Sequence, residues 1–212
     1  MYSPFAVPYE CSRKGMLMPG YVLTNFFIYV IINAFTPGPG NILALNTTNT
    51  FGWKRGRPLF FGIFTGYYVV QIICAVFVFG IGTFLPNVLQ IMKYIGAAYI
   101  LWLAIHIAIS KPAEEGSEGS ASFAKGFLLQ FVNIKIYLFG ITALTGYIAP
   151  YNNALRVLIF FELIIATVGT IATLTWIGTG IALKRIYMKY YRVINIVLAV
   201  ILLECIWSML IT

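Results

Sequence analysis

The sequence predicts an all-α integral membrane protein: six transmembrane helices arranged as a 3+3 inverted repeat, with a broken first helix. Three observations predict it. Hydrophobic residues make up 60% of the chain and charged residues 9%, and the mean hydropathy of +0.89 lies far outside the range of a water-soluble domain. Charge-free stretches recur at Gly15 to Trp53, Pro58 to Met92, Tyr94 to Ser110, Ile136 to Leu155 and Leu163 to Leu183, and a last one, Val193 to Thr212, is interrupted only by Glu204. The one clearly polar segment, Lys111 to Ser122, is rich in Gly, Ser and Glu and divides these stretches three and three.

About 20 apolar residues cross a bilayer core, so each stretch supplies one helix. Residues 1 to 20 come first. They carry three prolines, Cys11 and no long apolar core, and read as a dangling leader, either a disordered tail or a gene-start artefact ahead of Met16 or Met18. The first repeat, 21 to 110, holds helices near 21 to 45, 59 to 84 and 88 to 109. After the linker 111 to 122, the second repeat, 123 to 212, holds helices near 125 to 149, 155 to 180 and 192 to 211. An offset of 99 residues lays Arg57 over Arg156, Lys93 over Arg192, and the first helix break near Asn133 to Lys135. Because three is odd, two copies have opposite orientations, the inverted arrangement used by secondary transporters.

The break in the first helix is Thr36-Pro37-Gly38-Pro39-Gly40-Asn41. Each proline withdraws a backbone N–H and crowds the turn before it, and the glycines relax the chain, so the carbonyls one turn earlier lose their partners. In hydrocarbon such groups are tolerated only where they line a polar cavity or are buried against protein, which makes the break a pointer to a binding site. A purely structural proline kink is the plain alternative. The fourth helix has its own polar insertion, Gln130-Phe-Val-Asn133-Ile-Lys135. At 1.5 Å per residue, Lys135 lies about 15 Å beyond Lys125, and Pro37 to Asn41 lie about 6 to 12 Å before the helix end at Leu45. The two insertions are thus expected to meet in the inner half of the bilayer. The unwound carbonyls and the side chains of Thr36, Asn41, Gln130 and Asn133 would hold a ligand's polar groups around Pro37, Gly38 and Pro39. Lys135, costly at that depth, would take part in substrate or proton handling unless it merely snorkels to the surface. Tyr99 and Tyr67 are phenols that would reach a polar ligand if they face the breaks.

A net charge of +8 raises nucleic acid as a partner, but Lys and Arg cluster in the short connections instead of on one polar face. With the first connection in the cytoplasm, inner loops hold nine basic residues and outer segments four, which places both termini outside. Glu162 would serve as a proton carrier or as a partner for a nearby cation, and the interfacial reading is preferred; Glu204 and His106 read as interfacial or locally paired groups ahead of a proton relay. Cys11, Cys74 and Cys205 have no Cys-x-x-Cys spacing, Asp is absent, and no metal-ligand cluster or phosphate-cradling loop appears, so neither a metal, a cofactor nor ATP hydrolysis is expected. Gly62-x-x-x-Gly66 and Gly96-Ala97-Ala98 suit close helix packing, against this chain or a second copy in a homodimer.

Taken with the basic turn Gly52-Trp-Lys-Arg-Gly56, Lys93-Tyr-Ile-Gly-Ala-Ala-Tyr99 and Phe123-Ala-Lys-Gly-Phe127, these motifs resemble the LysE/RhtB family of amino-acid exporters, from about Tyr21 to the end of the chain. Leu129 to Ile136, Gly140 to Thr145 and Ile194 to Ala199 look most like its cysteine and O-acetylserine exporter branch. The sequence departs from that family in two places. Gly40 stands where Asn commonly follows Pro-Gly-Pro, moving the amide to Asn41, and Ile134 replaces the proline of Asn-Pro-Lys. The resemblance implies export of a small neutral amino acid or metabolite across the bacterial inner membrane, driven by the proton gradient. Competing readings are a membrane thiol-disulfide electron-transfer protein, through Cys74 and Cys205, and a channel.

Overall fold

The computed structural model describes residues 18–80, 85–110 and 121–211, with side chains at all of these except 85–93 and 208–211. The expectations for the leader and for most of the polar linker therefore lie outside the described residues. Every regular element among the described residues is helical: α1 Gly20–Phe35, α2 Pro39–Gly80, α3 Leu85–Ile109, α4 Phe123–Val132, α5 Ile134–Ala143 with a π-helical turn at Leu144–Ile148, α6 Leu155–Ala182 and α7 Lys184–Ile211. Three of them, α2, α6 and α7, are each long and apolar enough to cross a membrane, and the bent pair α4/α5 adds a fourth. α1 and the Tyr94–Ile109 part of α3 are apolar but shorter.

The expected first helix, 21 to 45, is thus two pieces, and the second piece runs on past Leu45. At 42 residues α2 is too long to be one straight span, and Gly52, with φ 74° and ψ 177°, reverses the chain within it. Only glycine takes that φ without a Cβ penalty. Contacts with α6 show the reversal. Leu45 and Thr48 lie against Gly180, one turn and more beyond Asn41 opposite Thr173, so the first arm runs along α6 in the same sense. Tyr67 lies against Gly169, and Gln71 points to the same spot as Glu162, so the second arm runs the opposite way.

Small residues bring backbones together. A Cβ on Gly62 would collide with the Phe123 carbonyl, and one on Gly126 with the Leu59 carbonyl, so the second arm of α2 crosses α4 almost backbone to backbone. The Gly-x-x-x-Gly face is therefore occupied by a helix of this same chain. α6 sits at the centre of the largest buried cluster, which gathers Phe26 and Val30 from α1, Val70 and Cys74 from α2, Phe139 and Ala143 from α5, and Ile165 and Ala172 from α6. Large apolar side chains also point outward, among them Phe27, Ile28 and Ile31 of α1, Ile171 of α6 and Val193, Val197 and Val200 of α7. In a chain this hydrophobic, such faces suit lipid.

Candidate functional site

α1 stops where its prolines dictate. Thr36 is extended, with φ −62° and ψ 142°, as a residue before proline prefers. The carbonyls at the end of α1 are nevertheless satisfied one by one. Thr36 Oγ1 donates to Asn33 O at 2.8 Å, Asn41 Nδ2 to Ala34 O at 3.1 Å and Thr36 O at 3.3 Å, and Trp176 Nε1 to Phe35 O at 3.3 Å. Lys135 Nζ donates to Thr36 O at 3.1 Å, Thr36 Oγ1 at 2.9 Å and Pro37 O at 3.5 Å. The ammonium thus caps the C-terminal end of a helix from across the molecule, where the partial negative charge of the helix dipole favours a cation. This corrects one expectation: the unwound carbonyls are taken by the protein's own donors. Asn41 is a brace as well, since Thr173 Oγ1 donates to its Oδ1 at 2.8 Å.

The second break needs no proline. Asn133 leaves the helical region, with φ −85° and ψ 88°, and α4 and α5 meet at 56°. Gly96 of α3 packs directly on the Val132 carbonyl at that break, so tertiary packing holds a conformation that Ile134 alone would not dictate. The bend points Lys135, two residues on, at the first break.

Two cavities adjoin there. One of about 30 Å³, room for one or two waters, is lined by Gly38, Gly40, Asn41, Gln130 and Thr173, with Tyr67 on its wall. The other, of about 360 Å³, is lined by Thr36, Pro37 and Pro39 together with Glu204 and Cys205. Asn33, Asn133, Lys135 and Phe139 line both, so Lys135 stands at their junction. Gln130, 1% exposed, lies between Gly40 and Gly66 with neither amide atom partnered, and Asn133 Oδ1 is also buried without a partner. Buried polar atoms left open beside a cavity are where a ligand's polar groups would bind.

Thr36, Pro37, Gly38, Pro39, Asn41, Gln130, Asn133 and Lys135 are therefore brought together. Tyr99 is not. It lines a separate cavity of about 230 Å³ with His106 and Lys125, its ring 5.6 Å from that of Trp102. Thr173, Trp176 and Glu204 belong to the site and were not expected there. Glu162, expected at an interface, is 0% exposed in the core. Cys74 lies in the α6-centred cluster and Cys205 on the larger cavity, both as free thiols.

Comparison with known proteins fits this geometry. The LysE type translocator family matches residues 31–205. A cysteine/O-acetylserine efflux protein of Escherichia coli (strain K12) is 37% identical over 185 residues, covering 87% of this chain and 95% of the relative. Proteins of the same description from Salmonella choleraesuis (strain SC-B67) and Shigella flexneri are 38% and 36% identical over 189 residues, each covering 89% of this chain and 97% of the relative. No solved structure matches. With its helical membrane fold and a match running from within α1 into α7, the chain belongs to the LysE type translocator family and is a transporter, not an enzyme.

Proposed function

We propose that the chain exports small neutral amino acids, of the cysteine and O-acetylserine kind, across the bacterial inner membrane by proton-coupled alternating access. The observation that carries this is the meeting of two helix breaks at Lys135, between a water-sized cavity and one large enough for an amino acid. In the larger cavity the charged lining residues are Lys135 and Glu204. They suit the carboxylate and ammonium of a zwitterion, and among the described residues they leave no third charge for a charged side chain. Asn133, whose Oδ1 is unpartnered among the described residues, lines that cavity and suits the polar part of a neutral side chain, and Gln130 lines the adjoining water-sized one.

Alternating access is supported by the arrangement of elements. Shifted by the 99 residues that separate Thr36 from Lys135, α1 falls on α4, the first arm of α2 on α5 and its π turn, the second arm on α6, and α3 on α7. Positions related by that shift also touch. Lys135 holds Thr36, and Tyr68 and Thr167 share a hydrogen bond of 2.9 Å, as residues on a pseudo-twofold axis do. This supports a reading of six spans in two inverted repeats, whose rocking would expose a central site to each side in turn. Both termini then lie outside and the 111 to 122 linker inside. The test is efflux of radiolabelled cysteine and O-acetylserine from vesicles with and without a pH gradient. Saturable flux, raised by the gradient and collapsed by a protonophore, is the expected result. Flux equal to that of empty membranes would end the assignment, and non-saturating flux would make the protein a channel.

A further inference from the structure

Glu162 stands about two turns into α6, with apolar residues on both sides of it in the sequence. Its side chain is 0% exposed, and neither carboxylate oxygen has a hydrogen-bond partner among the described residues. A carboxylate taken out of water with no cation beside it is costly, whereas the neutral acid is not. Across from it on the second arm of α2, Gln71 is also 0% exposed with both amide atoms unpartnered. The two converge above Gly140 of α5. A Cβ there would collide with Gln71 Oε1 and stand 2.9 and 3.1 Å from the oxygens of Glu162.

A carboxylic acid and a primary amide are complementary. The acid O–H can donate to the amide carbonyl and an amide N–H to the acid carbonyl, whereas an ionised carboxylate keeps only the second of these. Gln71 is thus suited to stabilise the loaded acid without adding charge. The titratable groups facing Glu162 are Tyr67 and Cys74 from α2, with Tyr137 of α5 beside Cys74. α1 and the π turn add apolar groups, among them Phe26, Val30, Leu144 and Ile148, with Tyr29 and Tyr147 at the cluster's margin. None of these is a cation. Tyr67 also lines the water-sized cavity, which links this acid to the junction at Lys135.

We propose that Glu162 is the proton site of the transport cycle, with Gln71 as the neutral partner of its protonated form. In each cycle the carboxylate takes one proton from the outer side and, as the acid, releases it to the inner side while substrate moves the other way. No bond other than that O–H forms or breaks. This rests on the proton-coupled reading above and assigns the proton to a different group from the one assigned to substrate.

The test uses purified full-length protein in liposomes, wild type and Glu162→Gln, which keeps the shape of the neutral acid. Glu162→Gln should keep gradient-free exchange of labelled against unlabelled O-acetylserine and lose both stimulation by a pH gradient and the proton movement read by a lumenal dye. Wild-type proton movement in that variant would overturn the proposal. Wild type that transports without moving protons would overturn the coupling and this inference with it. If wild type carries no amino acid, the substrate reading fails, and infrared spectra still decide the proton site. A protonated-acid carbonyl band that titrates with pH, is missing in Glu162→Gln and shifts in Gln71→Leu supports it, and absence of the band in wild type overturns it. The Gln71→Leu arm retains the carboxylate and covers the case in which Glu162→Gln does not fold.

Discussion

Replacing Lys135 by Met keeps the stem and removes the charge, and the structure predicts different sizes for its effects on folding and on binding. Of the three acceptors that Lys135 serves, Thr36 O keeps Asn41 Nδ2, and Thr36 Oγ1 keeps its bond to Asn33 O. Only Pro37 O, reached at 3.5 Å, loses its donor outright. The stability loss should therefore be about 1–2 kcal/mol, offset in part by removing a desolvated ammonium. Substrate loses a charge-assisted hydrogen bond to its carboxylate, worth about 1.5–3 kcal/mol, so binding should weaken roughly 10- to 150-fold. Thermal melting of the purified protein and the half-saturation concentration for O-acetylserine exchange measure the two effects separately. Lys135→Arg should recover little, because a planar fork does not reproduce the point-charge geometry at Thr36 and Pro37. An unchanged half-saturation concentration in the Met variant would refute the reasoning and reduce Lys135 to a helix cap.

Pro37→Ala with Pro39→Ala should loosen the break and lower transport without raising the melting temperature, since Pro37 lies between α1 and α2, Pro39 is the first residue of α2, where proline fits, and the carbonyls at the break already have donors. Full transport in that double variant would make the motif a simple kink. Gly126→Ala should push α4 off the Leu59 carbonyl and cost about 1–3 kcal/mol, read as a lowered melting temperature. Gly178→Ala, with nothing within 4 Å of the added Cβ, is the control and should melt normally. In single-cysteine variants, a reagent outside the cell should label position 152 and miss position 117, and the opposite pattern would overturn the orientation.

The first break was legible because Pro37 and Pro39 act through local covalent geometry, which sequence records directly. The fourth-helix bend was legible only as a polar insertion. With Ile134 in place of a proline, what holds Asn133 out of the helix includes the contact of Gly96 with Val132, and that is a tertiary fact. Depth counting brought Lys135 to the first break, but its role as a cap depends on the orientation of α5 after a 56° bend, which no count of residues supplies. Tyr99 was misplaced for the same kind of reason: rotation about the helix axis decides which cavity a phenol reaches. Thr173 and Trp176 carried no local signal, being ordinary residues of an apolar helix. Glu162 looked interfacial from its position near a helix start, and only the packing of α1, α2 and α5 around α6 reveals it as enclosed.

The central claim is that substrate binds where the two breaks meet, in the cavity between Lys135 and Glu204. Cys205 lies on that cavity's wall and serves as a native probe once Cys11 and Cys74 are replaced by Ala. The most direct measurement is the rate of maleimide alkylation of Cys205 against O-acetylserine concentration. Substrate should slow alkylation, with half-maximal protection at its half-saturation concentration for exchange, and Lys135→Met should shift protection to higher concentration. An alkylation rate unmoved by saturating amounts of a substrate that the same protein transports would contradict that claim.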